Sequence, residues 1–294
     1  METVHIRFLR YSAFYSPLLV TISGGHLRAE GLEATFDVAS PERTIADGIA
    51  RGDVQVSQSA PAVSFAPSVR GEVLPYRHFA LLNSRDGFFL AGRDAARPFD
   101  WRALEGRSVV VDHFFQPLAM FRRALFERGV DERKVRFVDA GDVASIERAY
   151  RAGTGDFVHM QGPAPQQLEQ EGLGVVCGSV GEAVGPVAFS SLCASPAWLA
   201  TEQARAFVRA FRRGLAHAQS APAAEVVALV GGYLPGVDAS SLSRTIEAYQ
   251  RLGTWRHDGA IAADLYERAV DLFLWSGHIA ARPAVDDVLA PLPG

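Results

Sequence analysis

The sequence predicts an α/β protein in which parallel sheet layers are flanked by helices. Two observations lead to this prediction. Short apolar strands alternate with helices along the first two thirds of the chain, the pattern typical of parallel α/β layers. The length of 294 residues is the second. At about 100–200 residues per domain, it allows two lobes or one large domain.

The first third of the chain predicts three strands and two helices. Apolar-rich segments predict strands over 4–10, 32–39 and 53–57. A helix over 16–27 has Pro17 near its start, where proline is favoured. A second helix begins with Ser40 as its N-cap and Pro41 at its first position, and ends at Gly52.

The pattern changes near Leu81, where the turn triplet Arg85-Asp86-Gly87 separates two strands and a second α/β run begins. Strands are predicted over 78–83, 88–92, 107–112, 135–139, 156–160, 174–178 and 187–194. Helices are predicted over 116–129, 143–152 and 166–171, and then over 201–220, 222–230, 239–250 and 262–276. The last four helices have no strands between them and are expected to wrap an existing lobe.

Charge and cysteine usage exclude several classes of function. The net charge is −4, and the densest basic cluster, which runs from Arg205 to Arg213 at helical spacing, is interpreted as a solvated helix face. Nucleic acid is therefore not an expected partner. Cys177 and Cys193 form no CxxC pair, so the sequence supports no zinc or redox motif, and no cofactor or metal is expected. Spacing leaves open whether these two cysteines are bonded to each other.

The chain contains no run of about 18 apolar residues that would predict a transmembrane helix. A strand follows Met1 directly where a secretory signal would need a basic start and an apolar run. The expected location is the periplasm if a signal has been removed, and the cytoplasm otherwise.

A weak internal sequence repeat suggests where a ligand would bind. Gly52-Asp53 leads to Gln58, and Gly155-Asp156 leads to Gln161 at the same spacing. Each Gln is predicted to stand just past the carboxyl end of a short strand. Ligands of open parallel sheets bind outside the carboxyl ends of the strands. Two lobes with similar topology would therefore place both Gln residues at the edges of one cleft.

Four segments together resemble a known family. They are Leu27-Arg28-Ala29-Glu30-Gly31-Leu32-Glu33, Ile49-Ala50-Arg51-Gly52-Asp53-Val54, the segment 99–109 (FDWRALEGRSV) and Trp275-Ser276-Gly277-His278-Ile279. In order and spacing they resemble the periplasmic-binding-protein type II superfamily. Within it, the chain is similar to the solute-binding proteins of ABC transporters that are related to thiamine-pyrimidine synthases and aliphatic-sulfonate binders.

The resemblance implies a two-lobed fold, each lobe a mixed, mostly parallel sheet flanked by helices, with the ligand cleft between the lobes. Residues 1–84 and 190–294 would form lobe 1, and residues 85–189 would form lobe 2. A small molecule and the membrane permease of an ABC importer are the implied partners, the implied state is a monomer, and the cleft would close by a hinge motion.

By the strand-end rule, four loops supply the candidate ligand-binding residues. These are Tyr11, Ser12, Phe14 and Tyr15 after the first strand, Arg43 at a helix start, Gln58 and Ser59 after the third strand, and His113, Phe115 and Gln161 in lobe 2. Structural alternatives stay open for each. Phe14 and Tyr15 could be core residues, segment 40–44 a plain helix cap, the glutamines ordinary loop amides, and His113 a structural side chain.

Three functions remain: a solute-binding protein, an enzyme on the same fold, and a cytoplasmic sensor. Thiamine-pyrimidine synthases carry a cysteine-rich motif, and the related biphenyl-sulfinate desulfinase uses a nucleophilic Cys after a Tyr-Ser pair. Here Ala13 and Phe14 follow Tyr11-Ser12, and the cysteine-rich motif is absent. Both departures favour a binding protein, for a heteroaromatic ligand such as a pyrimidine or for a small organic acid or sulfonate.

Overall fold

The structure, a computed structural model, describes all residues from Met1 to Gly294. Its ten strands are β1 (Glu2–Phe8), β2 (Leu32–Val38), β3 (Val56–Ser59), β4 (Arg77–Asn83), β5 (Phe88–Gly92), β6 (Ser108–Val111), β7 (Arg136–Val138), β8 (Phe157–Gln161), β9 (Val175–Ser179) and β10 (Ser190–Ala194). Its α-helices are α1 (Ser16–Ser23), α2 (Ile45–Ala50), α3 (Phe65–Val69), α4 (Phe115–Glu127), α5 (Val143–Arg151), α6 (Ala164–Gln170), α7 (Val180–Val184), α8 (Pro196–Leu199), α9 (Glu202–Ser220), α10 (Ala223–Val230), α11 (Ala239–Leu252), α12 (Ala263–Trp275) and α13 (Val285–Val288).

The chain forms two compact units. Unit 1 comprises Met1–Ser84, Val187–Pro235 and Gly253–Gly294, and unit 2 comprises Arg85–Pro186 and Gly236–Leu252. The sequence-based division assigned all of 190–294 to lobe 1, whereas the structure groups α11 with unit 2. The reason is a set of contacts that α11 makes there. Arg244 donates to the Gln166 carbonyl at 2.8 Å, and the Tyr249 hydroxyl donates to the Gly87 carbonyl at 2.9 Å.

Unit 1 contains a mixed five-stranded sheet in the order β2-β1-β3-β10-β4. Strands β2, β1 and β3 are parallel, and β10 runs antiparallel to both β3 and β4. The carboxyl ends of β1, β2, β3 and β4 therefore share one edge with the amino end of β10. We call this the strand-end edge of unit 1.

Unit 2 contains a second mixed five-stranded sheet in the order β7-β6-β8-β5-β9. Strands β7, β6 and β8 are parallel, and β5 runs antiparallel to β8 and β9. The strand-end edge of unit 2 accordingly joins the carboxyl ends of β6, β7, β8 and β9 to the amino end of β5. The two sheets confirm the predicted α/β class with mixed, mostly parallel sheets.

Two local predictions were wrong at segments that matter for the site. Helix α2 begins at Ile45, not after Ser40, because the Thr44 hydroxyl accepts the Asp47 N–H at 3.1 Å and acts as the N-cap. Pro41 lies instead in a turn closed by the Arg43 N–H and the Ser40 carbonyl at 3.0 Å. Strand β3 starts at Val56 because the chain first turns at Gly52, whose φ of 77° is left-handed.

Gly214 lets α1 and α9 pack closely in unit 1. A methyl group at this position would lie 2.1 Å from Thr21 Oγ1, 2.9 Å from Thr21 Cα and 3.0 Å from the Pro17 carbonyl. We expect Gly214→Ala to lower the free energy of unfolding by about 2 kcal/mol, because overpacking forces the helices apart. Denaturant unfolding followed by circular dichroism measures this change.

Gly231 provides the matched control for that substitution. It has helical dihedral angles, and a methyl group added there would meet nothing within 4 Å. Gly231→Ala is therefore expected to leave stability unchanged or to raise it by a few tenths of a kcal/mol. Equal stability of the two variants would contradict the proposed close packing.

Candidate functional site

The loop after β1 carries four of the candidate residues at the strand-end edge of unit 1. Ser12 begins a 3-10 turn over Ala13–Tyr15, and its hydroxyl accepts the Phe14 N–H at 3.2 Å. Phe14 is fully buried, with its ring centroid 5.4 Å from that of Phe189. Tyr15 is 5% exposed. In this conformation Phe14 packs the interior of unit 1.

Tyr11 is the half-buried aromatic residue of this loop. Its ring centroid lies 5.2 Å from that of Phe8 and 5.5 Å from that of Tyr233. Burial raises the pKa of Tyr11, and the nearby Tyr233 and Asp37 raise it further. Its hydroxyl therefore stays protonated over the physiological range, where it can donate a hydrogen bond to a ligand.

Gln58 and Ser59 lie within β3 and not past its end as predicted. Gln58 is 1% exposed. Its Oε1 accepts the Leu9 N–H at 3.1 Å, and its Nε2 donates to the Ser59 carbonyl at 3.4 Å. The amide thus holds the end of β1 against β3. In unit 2, Gln161 is the last residue of β8.

Arg43 lies at the same edge as part of a charged group around Asp37. Arg7, which is 5% exposed, holds Asp37 with two hydrogen bonds of 2.8 Å and donates to the Thr44 carbonyl at 3.0 Å. Arg43 lies 3.5 Å from Asp37 Oδ2, and 58% of its side chain is exposed. Arg7 already neutralises Asp37, so Arg43 can contribute its charge to a ligand.

Asn83 ends β4 at the strand-end edge of unit 1 and is fully buried. The Trp255 indole N–H donates to Asn83 Oδ1 at 2.8 Å. An indole can only donate, so this contact fixes the amide orientation. Asn83 Nδ2 is then a buried donor with no hydrogen-bond partner. Trp255 itself is 1% exposed, so it packs in the interior of unit 1.

The strand-end edge of unit 2 presents His113, Phe114 and Phe115 after β6. The His113 Nδ1 lies 3.1 Å from the Val111 carbonyl and 3.7 Å from Asp139 Oδ1. Asp112 Oδ1 accepts the Phe114 N–H at 2.9 Å, so Asp112 and His113 are not paired with each other. Phe114 is 72% exposed, whereas Phe115, the residue selected from the sequence, is half-buried.

Asp86 lies beside β5 at the same edge and is fully buried. Its Oδ1 accepts the Phe88 N–H at 2.6 Å, while Oδ2 has no hydrogen-bond partner. Burial raises the pKa of Asp86 to about 8, and the charge of Asp112 contributes to the increase. Burial thus favours the protonated form of Asp86, and strongly shifted pKa values of this kind are common at functional sites.

Similarity to known proteins identifies the family of this chain. The family model described as NMT1/THI5 like matches residues 13–225, well over half of the chain. The chain belongs to the NMT1/THI5-like family. Among curated proteins, the putative binding protein YtlA of Bacillus subtilis (strain 168) is 24% identical over 284 residues, which cover 95% of this chain and 85% of YtlA.

Solved structures share the fold of this NMT1/THI5-like chain along nearly its whole length. The ligand-binding component of an ABC-type import system from Staphylococcus aureus, solved with zinc bound, has a TM-score of 0.75 at 14% identity, covering 99% of this chain and 97% of that one. The periplasmic aliphatic sulphonate-binding protein SsuA from Escherichia coli has a TM-score of 0.74 at 12% identity, covering 98% and 97%. The desulfurization enzyme DszB has a TM-score of 0.68 at 15% identity, covering 99% and 97%. These likenesses confirm the predicted α/β fold.

In this NMT1/THI5-like chain, burial keeps the two thiols protonated and the buried histidines neutral. Cys177 and Cys193 are free thiols, and burial raises the pKa of Cys177 to about 12 and that of Cys193 further. Burial lowers the pKa of His78 and of His159 to about 3, so both are neutral. His159 is stacked between Phe88 and Phe121, with centroid distances of 4.7 Å to each, as a core residue.

No group of three or more His, Cys, Asp or Glu side chains is placed to hold a metal ion. None of the helices combines the length and apolarity that a membrane span requires.

Sequence reasoning missed three residues of the two edges: Asn83, Asp86 and Phe114. Asp86 was assigned only to a turn triplet, and Phe114 was passed over for its neighbour. The topology could have indicated Asp86, because a residue that precedes an antiparallel strand lies at the carboxyl edge of the neighbouring parallel strands. The burial of Asn83 follows only from its contact with Trp255, which is 172 residues away in sequence.

Proposed function

We propose that this protein is the solute-binding component of an ABC-type importer and delivers a small organic molecule to a membrane permease. One observation carries the proposal. Each strand-end edge contains a fully buried side chain with one unbonded polar atom, Asn83 Nδ2 in unit 1 and Asp86 Oδ2 in unit 2. Buried polar atoms in native proteins almost always have a partner, so we interpret these two atoms as positions for a ligand or its bound water.

The family and the similar proteins support this proposal. One similar structure is an ABC-type import component and another binds aliphatic sulphonates, while YtlA is described as a putative binding protein. We place the protein outside the cytoplasmic membrane on the same grounds. No observation favours a desulfinase, because the cysteines lie on β9 and β10 and burial raises the pKa of both thiols.

Capture would follow from differential affinity. A ligand that contacts both units stabilises a closed arrangement by the free energy of its additional contacts, and closure would occur by a hinge motion. We propose Tyr11, Arg43, His113, Phe115 and Gln161 as direct contacts. Ser12, Phe14, Tyr15, Gln58 and Ser59 would support the site from the buried side, since each is at most 5% exposed.

A thermal-shift screen against pyrimidines, sulfonates, aromatic carboxylates, amino acids and amines tests the proposal. A ligand at about 100 times its Kd adds about 2.7 kcal/mol of stability. For a protein of this size, that raises the thermal midpoint by several degrees. A ligand recovered unchanged after incubation agrees with a binding protein, and a chemically altered one contradicts the proposal in favour of an enzyme.

Replacement of exposed edge residues tests where the ligand lies. We expect Arg43→Ala and His113→Ala each to weaken binding of the screened ligand about tenfold, the effect of losing about 1.4 kcal/mol of hydrogen bonding. Arg51→Ala is the matched control, because this arginine is equally exposed, at 59%, and pairs with Asp53 away from the strand-end edge. Calorimetric affinities that are the same in all three variants would rule out this placement of the site.

A further inference from the structure

The strand-end edge of unit 2 is acidic. Asp112 follows β6, Asp139 follows β7, and Asp86 precedes β5. The one arginine in these connecting segments, Arg85, donates to the Gly181 carbonyl at 3.1 Å. An anionic ligand such as a sulfonate would meet net repulsion here, whereas a cation would be attracted.

The buried Asp86 is the centre of this edge. Its unbonded Oδ2 is fully buried, and the charge of Asp112 acts on it. No cation contributes to the pKa of Asp86, and Arg244 of α11 donates instead to the Gln166 carbonyl at 2.8 Å. Helix α7 contributes the exposed Glu182, and α11 contributes Tyr249, whose hydroxyl donates to the Gly87 carbonyl. A positively charged hydrogen-bond donor would supply the missing hydrogen bond and would favour the ionised form of Asp86 beside Asp112.

His113 and Phe114 fit the same kind of ligand. The Val111 carbonyl can only accept, so the His113 Nδ1 at 3.1 Å carries the proton in that contact. In the neutral imidazole, Nε2 is then a hydrogen-bond acceptor. The neighbouring Phe114 exposes 72% of its surface, which makes its ring accessible to a cation.

We propose that the strand-end edge of unit 2 binds the positively charged nitrogen of an organic ligand, such as a protonated amine or amidine carried on an apolar body. The inference rests on the proposed solute-binding function and narrows its ligand class. It sets this chain apart from the sulphonate-binding SsuA, whose fold it shares.

The proposal implies a pH dependence of binding. Burial and Asp112 raise the pKa of Asp86 to about 8, so the free protein carries a proton there at neutral pH. A bound cation favours the ionised carboxyl and displaces that proton. Affinity should therefore rise with pH below about 8, by up to tenfold per unit, and level off above it. A sulfonate would show the opposite trend.

Calorimetric titration of the full chain at pH 6, 7, 8 and 9 provides the test. Benzylamine and benzamidine serve as cationic probes, and benzenesulfonate serves as the anion of similar size. We expect at least tenfold tighter binding of a cation, an increase of about tenfold in its affinity from pH 6 to pH 7, and proton release detected in buffers of different ionisation enthalpy.

Two variants assign the effect to the site. Asp86→Asn should abolish the pH dependence and weaken cation binding at least tenfold. Asp112→Asn should shift the pH dependence to lower pH, because it removes the charge that raises the pKa of Asp86. Asp94→Asn is the control, since Asp94 follows the carboxyl end of β5 at the opposite edge and its side chain is 71% exposed.

The outcomes separate this inference from the proposed function. Tighter binding of benzenesulfonate, or failure of both cations to bind, overturns the inference. If another class of ligand from the thermal-shift screen still binds and is recovered unchanged, the solute-binding function stands. If no class of ligand binds, both the inference and the proposed solute-binding function are wrong. Unaltered pH dependence in folded Asp86→Asn or Asp112→Asn protein would also overturn the assignment to Asp86.

Discussion

Replacing Trp255 with alanine is expected to lower the free energy of unfolding of unit 1 by about 3–5 kcal/mol. The indole is 1% exposed and donates to Asn83 Oδ1 at 2.8 Å. Its removal leaves a large cavity and strips the buried amide of its remaining side-chain partner. Differential scanning calorimetry should show a decrease in the thermal midpoint on the order of 10 °C.

Trp275→Ala is the matched control for Trp255→Ala, because Trp275 lies at the surface. Its side chain is 42% exposed at the end of α12, so Trp275→Ala should cost about 1 kcal/mol or less. A further variant, Trp255→Phe, fills most of the cavity but cannot donate to Asn83. We expect its free energy of unfolding to lie between those of wild type and Trp255→Ala. If Trp255→Ala were no less stable than Trp275→Ala, the buried position of the indole would be refuted.

Asp37→Asn is expected to lower stability by about 3 kcal/mol, because it leaves the buried guanidinium of Arg7 without its counter-charge. Arg7 is 5% exposed and holds both carboxylate oxygens at 2.8 Å. Chemical denaturation at pH 7 measures the loss. Asp53→Asn is the matched control, because the Arg51–Asp53 pair has side chains about 60% exposed and should contribute less than about 1 kcal/mol.

The Asp37 carboxyl also makes the stability of the protein depend on pH. The hydrogen bonds from Arg7 lower the pKa of Asp37 below its usual value. Its contribution to stability is therefore complete above the unfolded pKa of about 3.9 and is lost as pH falls through the lower folded pKa. Wild type should lose stability in this acid range more steeply than Asp37→Asn. Parallel pH profiles of the two proteins would show that the ion pair does not stabilise the fold.

Proteins that share this fold bind different ligands, so the fold alone does not identify the ligand of this chain. The same architecture occurs in a sulphonate-binding protein, an ABC import component solved with zinc bound, and a desulfurization enzyme, all at less than 25% identity. Function must therefore be argued from the residues at the strand ends. In this chain those residues include Asp86 and Asp112 at the edge of unit 2 and Arg43 at the edge of unit 1.

The α/β class, the course of most strands and the superfamily could all be predicted from the sequence. Strand β5, for example, has the predicted bounds Phe88–Gly92, because a compact apolar run between turn residues specifies a strand locally. The loop from Tyr11 to Tyr15 was correctly placed after β1, since the order of elements fixes which loops follow strand ends. These features depend on residues that are close together in the chain.

Tertiary structure alone decided burial and partnership. The sequence could not show that Gln58 is a buried clamp for Leu9, that Asn83 is oriented by Trp255, or that α11 packs on α6. Each of these contacts joins residues about 50 or more positions apart. The same holds for Asp86, which a local pattern identifies only as a turn residue. Its burial, its unbonded oxygen and the nearby Asp112 arise from strand order, because β5 enters the sheet between β8 and β9 and brings the residue before it to the strand-end edge.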